Sequence, residues 1–336
     1  MRILVATDAW KPQVNGVVHT LQRMSAAATA EFGADFRFLT PEGFSTLPLP
    51  TYPDIRVALA TAGEVARRID EMAPDHIHIA TEGPIGWATR KVCRDRGRLF
   101  TTSYHTRFPE YVSARAHVPE SWVYAALRHF HAPAAAVMAP TPSLRGELGR
   151  RGFDRVKVWT RGVDHALFQP REGDALDLPR PIFLSVGRVA VEKNLEALLE
   201  LDLPGSTVIV GNGPARASLQ KRYPNAHFLG AHFGDALARI YASADVFVFP
   251  SRTDTFGIVL IEAMASGLPV AAFPVTGPLD VIGDSGAGVM SENLREACLA
   301  ALEIPRHKAR EHSLKFTWRE SARQFLGHVA DARRAA

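Results

Sequence analysis

Short apolar runs alternate along the whole chain with segments of helical period. RILVA, FRFLT, HIHIA, LFTTSY, AAVMAP and VKVW occupy the first half, and PIFLSVG, STVIVG, AHFLG, DVFVFPS and LPVAAF the second. Most of these runs are apolar at consecutive positions rather than at every other one, so they suit strands covered on both faces, as in parallel sheets crossed over by helices. The helical segments carry start and stop signals: TPSLRGELGRRG places Thr141 as N-cap, Pro142 in the first turn and Gly152 as a stop. Each half opens on a buried strand running through a turn into a helix, MRILVATDAWKPQVNGVVHTLQRM in one and PIFLSVGRVAVEKNLEALLEL in the other. The pattern predicts an α/β chain of two facing Rossmann-like domains with parallel sheets. The expected boundaries are 1–168 and 169–314, with FQPREGDALDLPRP (168–181) as linker and a terminal helix within 315–336 that packs on either domain, the first being the expected one. Ligands of such sheets sit outside the carboxyl ends of the strands, so the loops there are where chemistry is sought.

Composition narrows the class. At 336 residues the chain is long enough for two cores. With 46% hydrophobic and 22% charged residues it reads as globular, disorder being expected only in the last few residues, DARRAA. No apolar run approaches the ~20 residues of a membrane-spanning helix, and the run before Asp8 is too short for a secretory signal. Two distant cysteines, Cys93 and Cys298, and no Asn-x-Ser/Thr acceptor predict a cytoplasmic chain free of disulfides. Basic residues outnumber acidic ones 21 to 16 over residues 1–170 and not beyond, so the excess belongs to the first domain, densest in RKVCRDRGR and continuing through Arg107 and Arg115. A solvated helix face accounts for such a run, as does an anionic surface or ligand.

Several strand-end residues could carry chemistry. SVGRVAVEKN puts Gly187 and Arg188 directly after a strand and Lys193 before the next helix. Two cations beside a helix N-terminus suit a diphosphate, although a tight turn with surface cations reads equally well. VIVGNGPARASL places Gly211, Asn212, Gly213 and Pro214 after another strand, without the third glycine of the dinucleotide fingerprint. In SRTDTFGIVLIEAMASGLPVAA a helix runs from Gly257 to about Ser266. Phe256, Gly257 and Ile258 then form its first turn, where free N–H groups can meet a phosphate. Glu262 is placed about two turns along, ~10 Å from the helix start by helical rise. At that spacing Asp254 and Glu262 do not share a proton, so separate contacts to one extended ligand are favoured over a coupled pair. The plain alternative is a helix cap at Asp254 and a solvated face at Glu262, but a carboxylate amid IVLIEAMASGLPV calls for a specific partner. In the first half, Asn15-Gly16 begins a helix and Gly16 permits close backbone approach, unless it is only a turn. His105 follows the strand of TTSYHTRFPEY at its carboxyl end; most lone histidines are structural. His76 and His78 alternate within one strand, a metal pair only if a third ligand joins them. Glu82 is given no role. Phosphate-loop, nucleophile-elbow and zinc-helix motifs are absent, and no nucleic-acid module is present.

Taken in order, DAWKPQVNGVV, SYHTRFPEY, RGVDHALFQP, SVGRVAVEKN, VGNGP and SRTDTFGIVLIEAMASGLPVAA resemble a family 4 retaining glycosyltransferase of the GT-B fold. The first domain is similar to the branch holding bacterial α-mannosyltransferases and sulfoquinovosyl and glycosyl diacylglycerol synthases. The resemblance implies that Arg188 and Lys193 hold the donor diphosphate and neutralise the leaving group. It implies Asp254 on the sugar hydroxyls, where relatives carry glutamate, and Glu262 on the ribose. Amides at Phe256, Gly257 and Ile258, with Gly211, line the donor; Gly16 lines its diphosphate from the other domain, and His105 faces the donor sugar. The base is expected near Ala231 to Gly234, with UDP and GDP both open. No cofactor and no essential metal are implied, the two cations doing a divalent ion's work, and no protein nucleophile is named.

The expected activity is transfer of a hexose from a nucleotide sugar to a lipid or saccharide acceptor held by the first domain. The arginine-rich run and the aromatic stretch RFPEYVSARAHVPESWVYAALRHF point to a lipid such as diacylglycerol at an anionic membrane face, with the enzyme peripheral on the inner side of the cell membrane. The alternatives are an epimerase of the same fold, recognised by acceptor-independent conversion of the donor, and a non-catalytic nucleotide-sugar-binding protein. An oxidoreductase is disfavoured by the incomplete glycine fingerprint.

Overall fold

The computed structural model describes residues 1–13, 15–49, 52–110, 113, 118–172 and 175–334. Arg115 and most of segment 111–117, part of the expected linker (173–174) and Ala335–Ala336 lie outside them. The chain forms two compact units, residues 1–161 with 318–336 and residues 162–317. The division thus falls after Arg161, ahead of the expected 168.

The first unit is built on strands β1 (Arg2–Ala6), β2 (Asp35–Leu39), β5 (His76–Ile79), β6 (Phe100–Ser103), β7 (Ala136–Ala139) and β8 (Val156–Val158), paired in parallel in the order β2-β1-β5-β6-β7-β8. An antiparallel hairpin, β3 (Thr46–Leu49) and β4 (Tyr52–Ala58), stands apart from that sheet. In the sequence Pro48, Pro50 and Pro53 interrupt any strand pattern here, proline being confined to strand edges. The helix Gly16–Phe32 is held at both ends: Asn15 Oδ1 accepts from the Val17 and Val18 amides at 3.0 Å, and Gly33 ends it at φ 65°. The terminal helix Trp318–Arg334 belongs to this unit, its Phe325 and Val329 sharing an apolar cluster with Ile3, Val5, Leu21 and Trp159. Trp159 Nε1 donates to Ser321 at 3.0 Å, so even the polar edge of that buried indole is satisfied by the helix.

The second unit contains β9 (Ile182–Val186), β10 (Ser206–Val210), β11 (His227–Gly230), β12 (Val246–Phe249), β13 (Val270–Ala272) and β14 (Gly288–Met290) in the parallel order β11-β10-β9-β12-β13-β14. Phe183, Leu184, Val246 and Phe247 are fully buried where β9 meets β12, each contributing ~1.5–3 kcal/mol by burial. Strand order reverses between β9 and β12 here and between β1 and β5 in the first unit. Loops leaving the two strands at a reversal diverge, which opens a crevice at the carboxyl edge of the sheet.

Candidate functional site

In the second unit the loops after β9 and β12 flank the crevice at the reversal and are tied to each other at two points. A single 3-10 turn, Val191–Lys193, ends at Asn194 in the left-handed region, and Asn194 Nδ2 of the side chain donates to Pro250 O at 3.0 Å, tying the first loop to the end of β12. This brings Lys193 to Asp254: Nζ to Oδ1 is 2.5 Å, with side chains 25% and 18% exposed. Arg188, half-buried, stands between Gly187 and Val189, whose amides donate to Val210 O and Asn212 O at 2.9 Å. Gly211 takes φ 142°, and a Cβ there would lie 1.8 Å from Gly187 O. The close backbone approach that its glycine permits is therefore to the Arg188 loop.

Beyond Asp254, the Phe256 ring is buried against Phe316, leaving only its backbone to meet a ligand. Gly257, at φ 80°, precedes the helix Ile258–Ala265, whose first turn receives no side-chain cap. A Cβ on Gly257 would touch Phe249 and Leu260 at 3.0 Å. Glu262 lies four residues past Ile258, just over one turn into this helix and nearer its start than the expected two turns. It is 8% exposed, not a solvated face, and accepts from the Tyr241 hydroxyl at 3.1 Å. Burial, and then the neighbouring Glu262, push the Tyr241 hydroxyl well above its ordinary 10, so it stays a donor. Asp254 and Glu262 thus have different partners, Lys193 and Tyr241. Tyr241 was not singled out from the sequence: in ARIYASADV it reads as an ordinary helical core aromatic.

At the first unit's reversal, Asp8 follows β1 and caps the helix Pro84–Asp95 that follows β5. Its carboxylate accepts from the Ile85 amide at 2.8 Å, the Gly86 amide at 3.3 Å and Thr81 Oγ1 at 2.9 Å. Burial raises its pKa against the lowering effect of those bonds. Gly16 is the first residue of its helix. His105 lies two residues past β6, with Nδ1 3.2 Å from Arg161 Nη2 and its ring edge-on to Trp159 at 5.7 Å. Burial, then Arg161, then His78 hold His105 well below 6.5, so the ring is neutral near pH 7. His76 and His78 bond to Thr101, and His78 also to Ser103, at 2.8–3.0 Å. Among the described residues no group of three His, Cys, Asp or Glu could hold a metal ion. Glu82, left without a role, pairs with buried His131 at 3.2 Å.

The basic run is largely engaged. Arg96 pairs with Asp70, Lys91 with Asp95, and Arg107 with both Glu110 and Glu147, while Arg90 and Arg98 donate to backbone carbonyls. An open groove of about 750 Å³ lies along the helix Pro84–Asp95, lined by Ala60, Trp87, Arg90, Lys91 and Arg94. Trp122 is 71% exposed on the helix Glu120–His131. Cys93 and Cys298 are free and buried. Among the described residues no helix is long and apolar enough to cross a membrane.

Two sequence profiles match the chain: "Glycosyltransferase Family 4" over residues 15–167 and "Glycosyl transferases group 1" over 180–304. A GDP-mannose-dependent alpha-mannosyltransferase of Mycobacterium tuberculosis is 30% identical, the match covering 99% of this chain and 97% of that protein. Sulfoquinovosyl transferase SQD2 of Arabidopsis thaliana is 30% identical over 82% of this chain, which spans 60% of that relative's length. An alpha-monoglucosyldiacylglycerol synthase of Streptococcus pneumoniae is 26% identical over 94% of this chain and 81% of its own. Among solved structures, a sucrose-phosphate synthase from Thermosynechococcus elongatus superposes with TM-score 0.79 at 20% identity, covering both chains fully. Anabaena HepE, in complex with UDP and glucose, superposes with TM-score 0.74 at 16% identity over 98% of this chain and 100% of that one. These two likenesses place the pair of parallel six-stranded sheets in the GT-B fold.

Proposed function

The chain belongs to the family 4 glycosyltransferases, and from that premise we propose that it moves a hexose from a UDP- or GDP-sugar to a membrane lipid such as diacylglycerol, with retention of configuration and without a metal. The carrying observation is the meeting of Lys193 and Asp254 at the β9/β12 reversal, beside a helix whose buried Glu262 is held by Tyr241. In this reading Arg188 and Lys193 take the diphosphate, Asp254 the sugar hydroxyls and Glu262 the ribose. Amides of Phe256, Gly257 and Ile258 supply further donors, and Gly16 and His105 contact the same donor. The acceptor hydroxyl oxygen bonds to the anomeric carbon as the carbon–phosphate oxygen bond breaks. The acceptor's proton passes to a phosphate oxygen, and the nucleoside diphosphate leaves with its charge balanced by the two cations. Lys193 is neutralised by Asp254 in the structure, so donor binding exchanges part of that ion pair for contacts to phosphate and sugar.

The donor reading is supported by the GDP-mannose-dependent relatives and by the UDP and glucose complex of the structural neighbour. The lipid reading is supported by the diacylglycerol synthase relative and by the basic, tryptophan-bearing groove of the first unit. A thermal-shift screen of nucleotides and nucleotide sugars tests the donor; no stabilisation by any UDP or GDP compound rejects it. Product analysis by NMR reads the anomeric configuration, and a reaction abolished by EDTA rejects metal independence. Sedimentation with vesicles of phosphatidylglycerol and phosphatidylcholine tests the acceptor side: absence of binding, together with efficient transfer to a soluble sugar, rejects the lipid.

A further inference from the structure

We infer that Arg161 is a positioning residue that fixes His105 as the tautomer carrying its proton on Nε2, so that His105 meets the donor as a hydrogen-bond donor and not as a base. The link to the donor rests on the function proposed above; the tautomer does not.

The geometry leaves little choice. Arg161 Nη2 lies 3.2 Å from His105 Nδ1, and a guanidinium offers only N–H groups, so Nδ1 must supply the lone pair. A neutral imidazole has one N–H, which is then on Nε2. An imidazolium would turn a second N–H toward a buried cation, and burial already holds His105 well below its ordinary 6.5. Arg161 cannot swing aside. It is 3% exposed, Nη1 donates to Trp159 O at 2.6 Å and to Thr160 O at 3.3 Å, and the guanidinium lies 4.3 Å over the Trp159 ring. Trp159 is itself anchored to Ser321 of the terminal helix and packs edge-on against His105. No carboxylate among the described residues pairs with Arg161, and burial lowers its pKa to about 9, leaving it charged near pH 7. Burying a cation without a counter-charge is costly. A charged group held at that cost beside one ring nitrogen is explained by what it does to that nitrogen.

The test is the tautomer itself, read from two-bond ¹H–¹⁵N spectra of the full chain labelled at histidine. His105→Gln identifies the signal among the 13 histidines. The wild type is expected to show protonated Nε2 and unprotonated Nδ1; protonated Nδ1 overturns the inference. Arg161→Lys, which keeps a donor, is expected to preserve the pattern. Arg161→Met is expected to give mixed tautomers and to lower kcat/KM about tenfold, and an unchanged tautomer in it overturns the role of Arg161. Should Arg161→Met not fold, Arg161→Gln is titrated instead: loss of the cation is expected to raise the His105 pKa, with His78 the remaining titratable neighbour, and an unchanged titration overturns the coupling. Adding UDP- or GDP-sugars to the wild type is expected to shift the Nε2 signal. Protonated Nε2 with no shift from any donor rejects the donor reading and leaves the tautomer standing.

Discussion

Glu262 is a buried carboxylate. It lies on a helix otherwise packed into the core, and Tyr241, fully buried, donates to it from the helix Gly234–Ser243. If Glu262 holds the ribose, Glu262→Ala should abolish the thermal shift given by the preferred nucleotide. Tyr241→Phe should weaken binding about tenfold, ~1.4 kcal/mol, because the carboxylate loses its orientation but not its charge. Equal nucleotide affinity in wild type and Glu262→Ala, measured by calorimetry, would remove Glu262 from the site. Asp254 is the second residue to probe. Asp254→Asn should leave the protein folded, since an amide oxygen can still accept from Lys193, yet lower kcat/KM about a hundredfold. Unaltered kinetics would reduce the pair to a structural tie between loops.

The elements themselves hold these residues through backbone contacts that no side chain announces. Gly211 is pressed against Gly187 O at the reversal, so Gly211→Ala should cost more than ~3 kcal/mol in denaturant unfolding and distort the Arg188 loop. A folded, fully stable Gly211→Ala protein would mean that the two loops can separate without loss. In the first unit, Asp8 caps the helix Pro84–Asp95 by accepting from two of its amides, and also accepts from the Thr81 hydroxyl ahead of that helix. Asp8→Ala should lower stability by about 2 kcal/mol, read as a reduced denaturation midpoint. Retained stability would show that the helix start is held by Pro84 and packing alone.

Over the whole molecule, buried histidines set the response to acid. His76 is pushed down to about 4, and His78 and His105 well below 6.5, chiefly by burial. In the unfolded chain each takes up a proton as the pH falls through about 6.5, while the folded chain does not. Between that value and the folded pKa the unfolded state binds more protons, so stability falls as pH falls, by up to ~1.4 kcal/mol per pH unit for each group. Denaturant unfolding at about pH 7.5, 6 and 5 should show this decline, and His76→Gln should make it shallower. A slope unchanged by His76→Gln would show that His76 charges without unfolding.

What the sequence determined by itself is the local part. Consecutive apolar runs such as RILVA and DVFVF are long enough to bury a strand on both faces, and Asn15, Thr141 and Gly152 mark helix ends through bonds that span only a few residues. For the same reason Arg188, Lys193, Asp254 and His105 were legible as strand-end residues, and the family resemblance rested on short motifs in order. Only the tertiary structure decided which strand ends adjoin. Strand order depends on burial and crossover geometry summed over the whole sheet, and no local period encodes it. Lys193 therefore met Asp254, Tyr241 met Glu262, and Arg161 met His105 across separations of 61, 21 and 56 residues. The proline-broken β3/β4 hairpin, which joins neither six-stranded sheet, and the return of the terminal helix to the first unit were decided the same way, by surfaces that exist only once the sheets have formed.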